Sequence, residues 1–90
     1  MTNYGFTLIV EGIPDSEEGF LSFADAVYGI APDCTVSMGR IAFDRDADSL
    51  IEAIRSAVKS IHRADPSVIV TGVVLDEGQA IDALLGVVAA

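Results

Sequence analysis

No lysine or arginine occurs before Arg40, and the five that the chain carries all fall between Arg40 and Arg63. Fourteen Asp and Glu oppose them, for a formal net charge of −9. A chain so charged is repelled by phosphate, which argues against unaided binding to DNA, RNA or anionic membrane surfaces. Tryptophan is absent and Cys34 is the only cysteine. No intramolecular disulfide can form, and a lone thiol suits a reducing compartment. The sequence does not open on a basic segment followed by an apolar run, and no apolar run approaches the roughly 20 residues of a membrane span. The expectation is a cytoplasmic protein that does not meet a membrane.

The usual motifs of catalysis are missing too. There is no phosphate loop, Cys-x-x-Cys pair, zinc-ligand cluster or nucleophile elbow. The acid pairs Glu17/Glu18 and Asp76/Glu77 are neighbours in sequence, with nothing to gather them in the apolar pocket that acid–base work needs. No enzymatic activity and no cofactor are expected. Asp44, Asp46 and Asp48 have the spacing of the first ligands of a calcium loop. Such a loop needs Gly at its sixth position and Glu at its twelfth. Ser49 and Arg55 stand there, so no metal is expected. His62 is alone and reads as a C-terminal helix residue that complements the dipole. Cys34 reads as a small buried apolar residue. Met38 and the phenylalanines fit core or sheet positions.

What is present is enough apolar material for one domain. The 90 residues are 51% hydrophobic, with mean hydropathy +0.49. A packed core rather than disorder follows. Residues 4–11 alternate, with Tyr4, Phe6, Leu8 and Val10 on one side, and read as a strand. Gly12, Pro14 and Asp15 end it. Asp15 with Glu18 has the spacing of a capping box. A helix over 16–29 follows, with Phe20, Phe23, Ala24, Val27 and Ile30 at core spacing. Residues 31–33 turn. The runs 34–38 and 40–43 flank Gly39 as a hairpin, and 44–48 reads as a charged connection. Ser49 with Glu52 opens a second helix over 50–64, whose Leu50, Ile54, Ala57, Val58 and Ile61 form a 3.6-residue stripe. Its polar face bears Glu52, Arg55, Lys59 and Arg63, a solvated and ion-paired stripe. Asp65 and Pro66 stop it. A Val/Ile-rich strand spans 67–75, residues 76–78 turn, and 79–85 fits a short helix with Ile81, Leu84 and Leu85 on one side.

The order β-α-β-β-α-β places the chain in the α+β class, as a ferredoxin-like sandwich of a four-stranded antiparallel sheet with two helices on one face. The whole of 1–90 is one domain, with its core in 1–75 and a tail in 76–90. Antiparallel helices would bring Asp15, Glu17 and Glu18 near Lys59 and Arg63, so ion pairs between the helices are expected. The other sheet face is left for the tail, a second copy or a partner to cover.

The run Phe43-Asp44-Arg45-Asp46-Ala47, with Ser49, Ala53-Ile54 and Ser56-Ala57, resembles a group of small bacterial proteins. These join an N-terminal β-α-β-β-α-β domain to a C-terminal helix-turn-helix. Tyr4–Leu8, Ala24–Tyr28 and Asp33–Val36 resemble their first strand, first helix and second strand, so the similarity covers about residues 4–85. Residues 79–86 resemble the first helix of the helix-turn-helix, and no recognition helix is expected in 87–90. The resemblance implies an interaction domain without a DNA-reading element: a stand-alone sensor or dimerisation module, joined through the sheet face or the apolar tail. The charge points instead to an acidic inhibitor or decoy. It would dock on a basic, nucleic-acid-binding protein surface such as a CRISPR effector subunit, a format similar in size and charge to phage anti-CRISPR proteins. The contacts expected for it are Asp15, Glu17, Glu18 and Asp25 on the first helix, with Asp44, Asp46 and Asp48 at the other end.

Overall fold

The computed structural model describes residues 2–75. The order is β1 (Thr2–Glu11), α1 (Glu17–Ile30), β2 (Cys34–Ser37), β3 (Arg40–Ala47), α2 (Leu50–Ala64) and β4 (Ile69–Leu75). The strands form one antiparallel sheet in the order β2-β3-β1-β4. The protein has the ferredoxin-like α+β architecture. Each helix links two strands that are separated by a third, so both helices return across the sheet and cover it. The expected helix over 79–85, with Ile81, Leu84 and Leu85, lies outside the described residues.

Alternation fixes which face each strand turns inward. Phe6, Leu8 and Val10 of β1 are buried, as are Ile41 and Phe43 of β3. Phe6 lies opposite Phe43 in the ladder, and their rings stack with centroids 5.7 Å apart. Phe23, Ala24 and Val27 of α1 and Leu50, Ala53, Ala57 and Ile61 of α2 close the core from above. Ile54 and Val58 sit at its edge, half-buried.

The chain punctuation is local chemistry. Ser16 caps α1 by accepting from the Gly19 N–H, which displaces Asp15 from the expected capping role by one residue. A hydroxyl at the residue directly before the first turn reaches the free N–H better than the acid before it. Ser49 caps α2 as expected, accepting from the Glu52 N–H. Gly12 leaves β1 at φ +96°, and a Cβ there would stand 2.9 Å from the Ser67 carbonyl oxygen. Gly39 turns the β2–β3 hairpin at φ +77°.

Four expectations need correction. The 44–48 stretch is not a connection: β3 runs on through Ala47, because Thr2–Gly5 of β1 offer it a ladder, with Gly5 opposite Asp44 and Asn3 opposite Asp46. Ile30 is exposed, since α1 ends there and has passed the core. Met38 is exposed in the hairpin turn rather than in a strand. The start of α1 does lie by the end of α2, where Pro14, Gly19, Ser22, Phe23 and Ala26 meet Ala64 and Asp65. No Lys or Arg lines that junction, and Asp15, Glu17 and Glu18 are exposed. Among the described residues the ion pairs are Asp33–Arg45 and Glu52–Arg55, and neither joins the two helices.

Truncating Phe43 removes a buried ring, its stack on Phe6 and the platform under Arg45. Phe43→Ala is expected to cost about 3–5 kcal/mol in chemical denaturation, against about 1 kcal/mol for the cap variant Ser49→Ala.

Candidate binding surfaces

Helix α1 carries Glu17, Glu18 and Asp25 on its outer side, and Asp15 lies just before its Ser16 cap. Asp15, Glu17, Glu18 and Asp25 are all exposed, and no ion pair among the described residues engages them. Glu17, Leu21, Asp25 and Tyr28 follow one another at i+4 and i+3 spacing, so they share a stripe. Leu21 is 52% exposed and Tyr28 39%. Leu21 is thus set between two carboxylates with Tyr28 beyond the second, and α1 itself carries no Lys or Arg. Glu17 and Glu18 occupy the first turn, where the helix dipole favours them.

The second acid group is elsewhere. On β3 the odd residues 41, 43 and 45 face the helices, so Asp44 and Asp46 point from the opposite face of the sheet. Both are exposed, and Asp46 accepts from the Asn3 side-chain amide at 3.1 Å. Asp48 is exposed in the bend before α2. The sheet therefore stands between the two groups, and the seven candidate residues make two surfaces rather than one. No group of three or more His, Cys, Asp and Glu among the described residues is placed to hold a metal.

Arg45 is the residue whose role the sequence hides. Among three acids it reads as a solvated charge. Its odd position on β3 instead turns it to the helix side, where its guanidinium lies 4.9 Å above the Phe43 ring centre. Nε and Nη2 donate to the two oxygens of Asp33 at 2.8 and 2.9 Å, and Nη1 donates to Ser56 Oγ at 3.1 Å. Ser56 Oγ in turn donates to the Ala53 carbonyl at 3.0 Å. One side chain thus ties β3 to the turn before β2 and to α2. Its bidentate hydrogen bonds hold the Asp33 carboxyl below the usual carboxylate range. Next door, Cys34 is half-buried and its thiol donates to the Ala31 carbonyl at 3.1 Å. Burial, with the Asp33 charge beside it, pushes that thiol up. This is the setting of a structural cysteine and not of a nucleophile.

Helix α2 shows the reverse polarity. Its exposed side bears Arg55, Lys59, His62 and Arg63. Arg55 meets Glu52 at 3.5 Å, a surface pair of little energetic weight. The expected ion-paired stripe is reduced to that contact among the described residues. Below it, Ile51, Ile54 and Val58 line a groove of about 450 Å³ with Arg55 and Lys59. No helix among the described residues is long and apolar enough to cross a membrane. Compared with known protein families, with curated proteins and with solved structures, the chain matches none.

Asp33 is more acidic folded than unfolded. It therefore adds stability that is complete above the ordinary carboxylate pKa and is lost as pH falls through its depressed folded value. Urea denaturation followed from neutral to acid pH is expected to show this loss, and Asp33→Asn to remove that part of the pH dependence. Arg45→Met is expected to cost about 1.5–3 kcal/mol at neutral pH, the range for hydrogen bonds to charged groups. Cys34 is expected to react with iodoacetamide more slowly than glutathione at neutral pH, and at the free-thiol rate once the chain is unfolded.

Proposed function

We propose that this chain is a non-enzymatic protein-binding domain that docks its α1 face on a basic surface of another protein, as an inhibitor or decoy. The observation that carries this is the α1 face: exposed carboxylates at Glu17, Glu18 and Asp25, with Asp15 just before the helix, beside exposed Leu21 and Tyr28. Carboxylates steer the encounter and select the partner. An aromatic and a leucine among them supply apolar area to desolvate at the centre of the contact. A nucleic-acid-binding protein offers the complementary surface, because a groove that holds phosphate is rich in Arg and Lys.

The reading narrows the contact set. Asp44 and Asp46 face away from the helix layer, so a partner that grips α1 does not reach them. A short acidic patch with apolar anchors also differs from a long phosphate mimic: it fits one basic groove or pocket, and does not trace a duplex.

Immobilised protein incubated with host lysate, with the retained proteins identified by mass spectrometry at low and high salt, tests the reading. A basic nucleic-acid-binding protein is expected to be retained at low salt and released as salt rises. The combined reversal Glu17→Lys, Glu18→Lys and Asp25→Lys is expected to weaken retention at least about tenfold, since each opposed charge pair across an interface becomes a repulsion. Asp44→Lys with Asp46→Lys is expected to leave it intact. Retention that survives the α1 reversal would sink the proposal, provided circular dichroism shows the variant folded.

A further inference from the structure

The two flanks of α2 differ. Ala64 shares a cavity with Phe23 and Ala26 of α1, and Ser56 receives Arg45 from β3. That flank therefore turns to α1, which lies over β2. Ile51, Ile54 and Val58 lie on the opposite flank, on the β4 side of the helix layer. They floor a groove of about 450 Å³ with Arg55 and Lys59 at its rim, and α2 alone lines it. Ile51 is 41% exposed. An apolar floor with cations at its rim suits an occupant that is apolar on one side and acidic besides.

We propose that this occupant is the chain's own segment 76–90, seated by Ile81, Leu84 and Leu85. Three observations select it. The first is where β4 leads. Helix α2 begins three residues after Ala47, which pairs with Thr2. It ends five residues before Ile69, which pairs with Glu11. It therefore runs with β1, and its Ile51 end lies at the Thr2 end of the sheet. Strand β4 runs the other way and reaches Leu75 opposite Phe6, heading for that same end. Residues 76–78 can span about 10 Å, the depth of one packed layer, and so lift the chain from the sheet edge to the groove.

The second observation is fit. Ile81, Leu84 and Leu85 stand at i, i+3 and i+4, one apolar face of the helix expected over 79–85. Such a helix is about 10 Å long, the distance from Ile51 to Val58 along α2. The third is charge. The segment carries Asp76, Glu77 and Asp82 and no Lys or Arg. Asp76 and Glu77 would enter at the Ile51 end, one turn from Arg55. Other seats oppose it. The open sheet face sets Asp44 and Asp46 against Arg40 and otherwise offers small side chains such as Thr7, Thr35 and Ala42. The exposed Leu21 and Tyr28 of α1 stand beside acids. A second copy packed groove to groove would set Arg55 and Lys59 against their own kind. This inference does not rest on the α1 docking face: the two surfaces are on different helices, and each proposal can fail alone.

Amide hydrogen exchange and methyl NOEs of the full chain, repeated on dilution, test the inference. Contacts are expected between the methyls of Ile51, Ile54 and Val58 and those of Ile81, Leu84 and Leu85. The amides of 79–85 are expected to be protected at every concentration. Ile51→Glu puts a charge in the floor of the groove and is expected to lower that protection at least about tenfold, with exchange in β1 and β3 unchanged. Arg55→Glu with Lys59→Glu is expected to lower it about two- to fivefold, the range for exposed charge pairs. If Ile51→Glu disturbs the sheet, Leu84→Asp carries the test. Unprotected amides across 79–85 overturn the inference. Protection that survives Ile51→Glu and Leu84→Asp overturns it as well, and seats the segment elsewhere. Protection that fades on dilution also overturns it, and gives the groove to the segment of a second copy.

Discussion

Phe6 and Phe43 face one another at the middle of the sheet, and the register they hold decides where every charge of the central strands goes. A slip of one residue along β3 would turn its whole side-chain set over. Asp44 and Asp46 would enter the core and Ile41 and Phe43 would leave it, at a cost no small domain sustains. With the register fixed, Arg45 falls at the end of the buried row, inside the helix layer and over the Phe43 ring. The same alternation sends Asp44 and Asp46 to the opposite face. One packing constraint thus produces both the interior latch and the separation of the two acidic groups.

The latch carries the constraint outward. Asp33 belongs to the turn that feeds β2, and Ser56 to the middle of α2, so Arg45 connects the hairpin edge to the helix that returns over the sheet. Among the described residues helix α1 has no charged latch, and its polar tie to the sheet is the single Tyr28 hydroxyl. It is held by Phe23, Ala24 and Val27 on its inner side, and by Tyr28, whose hydroxyl accepts from β2. Tyr28 apart, the outer side of α1 has no structural contact to serve, and that is where the carboxylates stand that no ion pair among the described residues engages. The division is physical: charges near the latch serve the fold, while those on α1 remain available to a partner.

Much of this was legible in the sequence. The alternation of Tyr4, Phe6, Leu8 and Val10 and the Leu50–Ile61 stripe report burial directly, because period follows from backbone geometry. The element order then led to the fold. What was not legible arose from pairing between distant segments. The extension of β3 through Asp44-Arg45-Asp46 depends on Thr2–Gly5 being there to receive it, and a run of charges gives no local sign of a strand. The inward turn of Arg45 was hidden for the same reason. Its position two residues after Phe43 was the available signal, had the strand been carried that far. The acids of α1 were placed correctly on an outer face because helical spacing alone settles that. Their pairing with Lys59 and Arg63 was not, because proximity of two helix ends says nothing about which side chains occupy the junction.

Hydrogen exchange measured along the full chain, free and in complex with the basic protein it retains from lysate, tests the docking claim most directly. The account predicts slowed exchange across residues 17–28 of α1 and no change across 44–48. Protection centred on 44–48, or absent from α1, would contradict it.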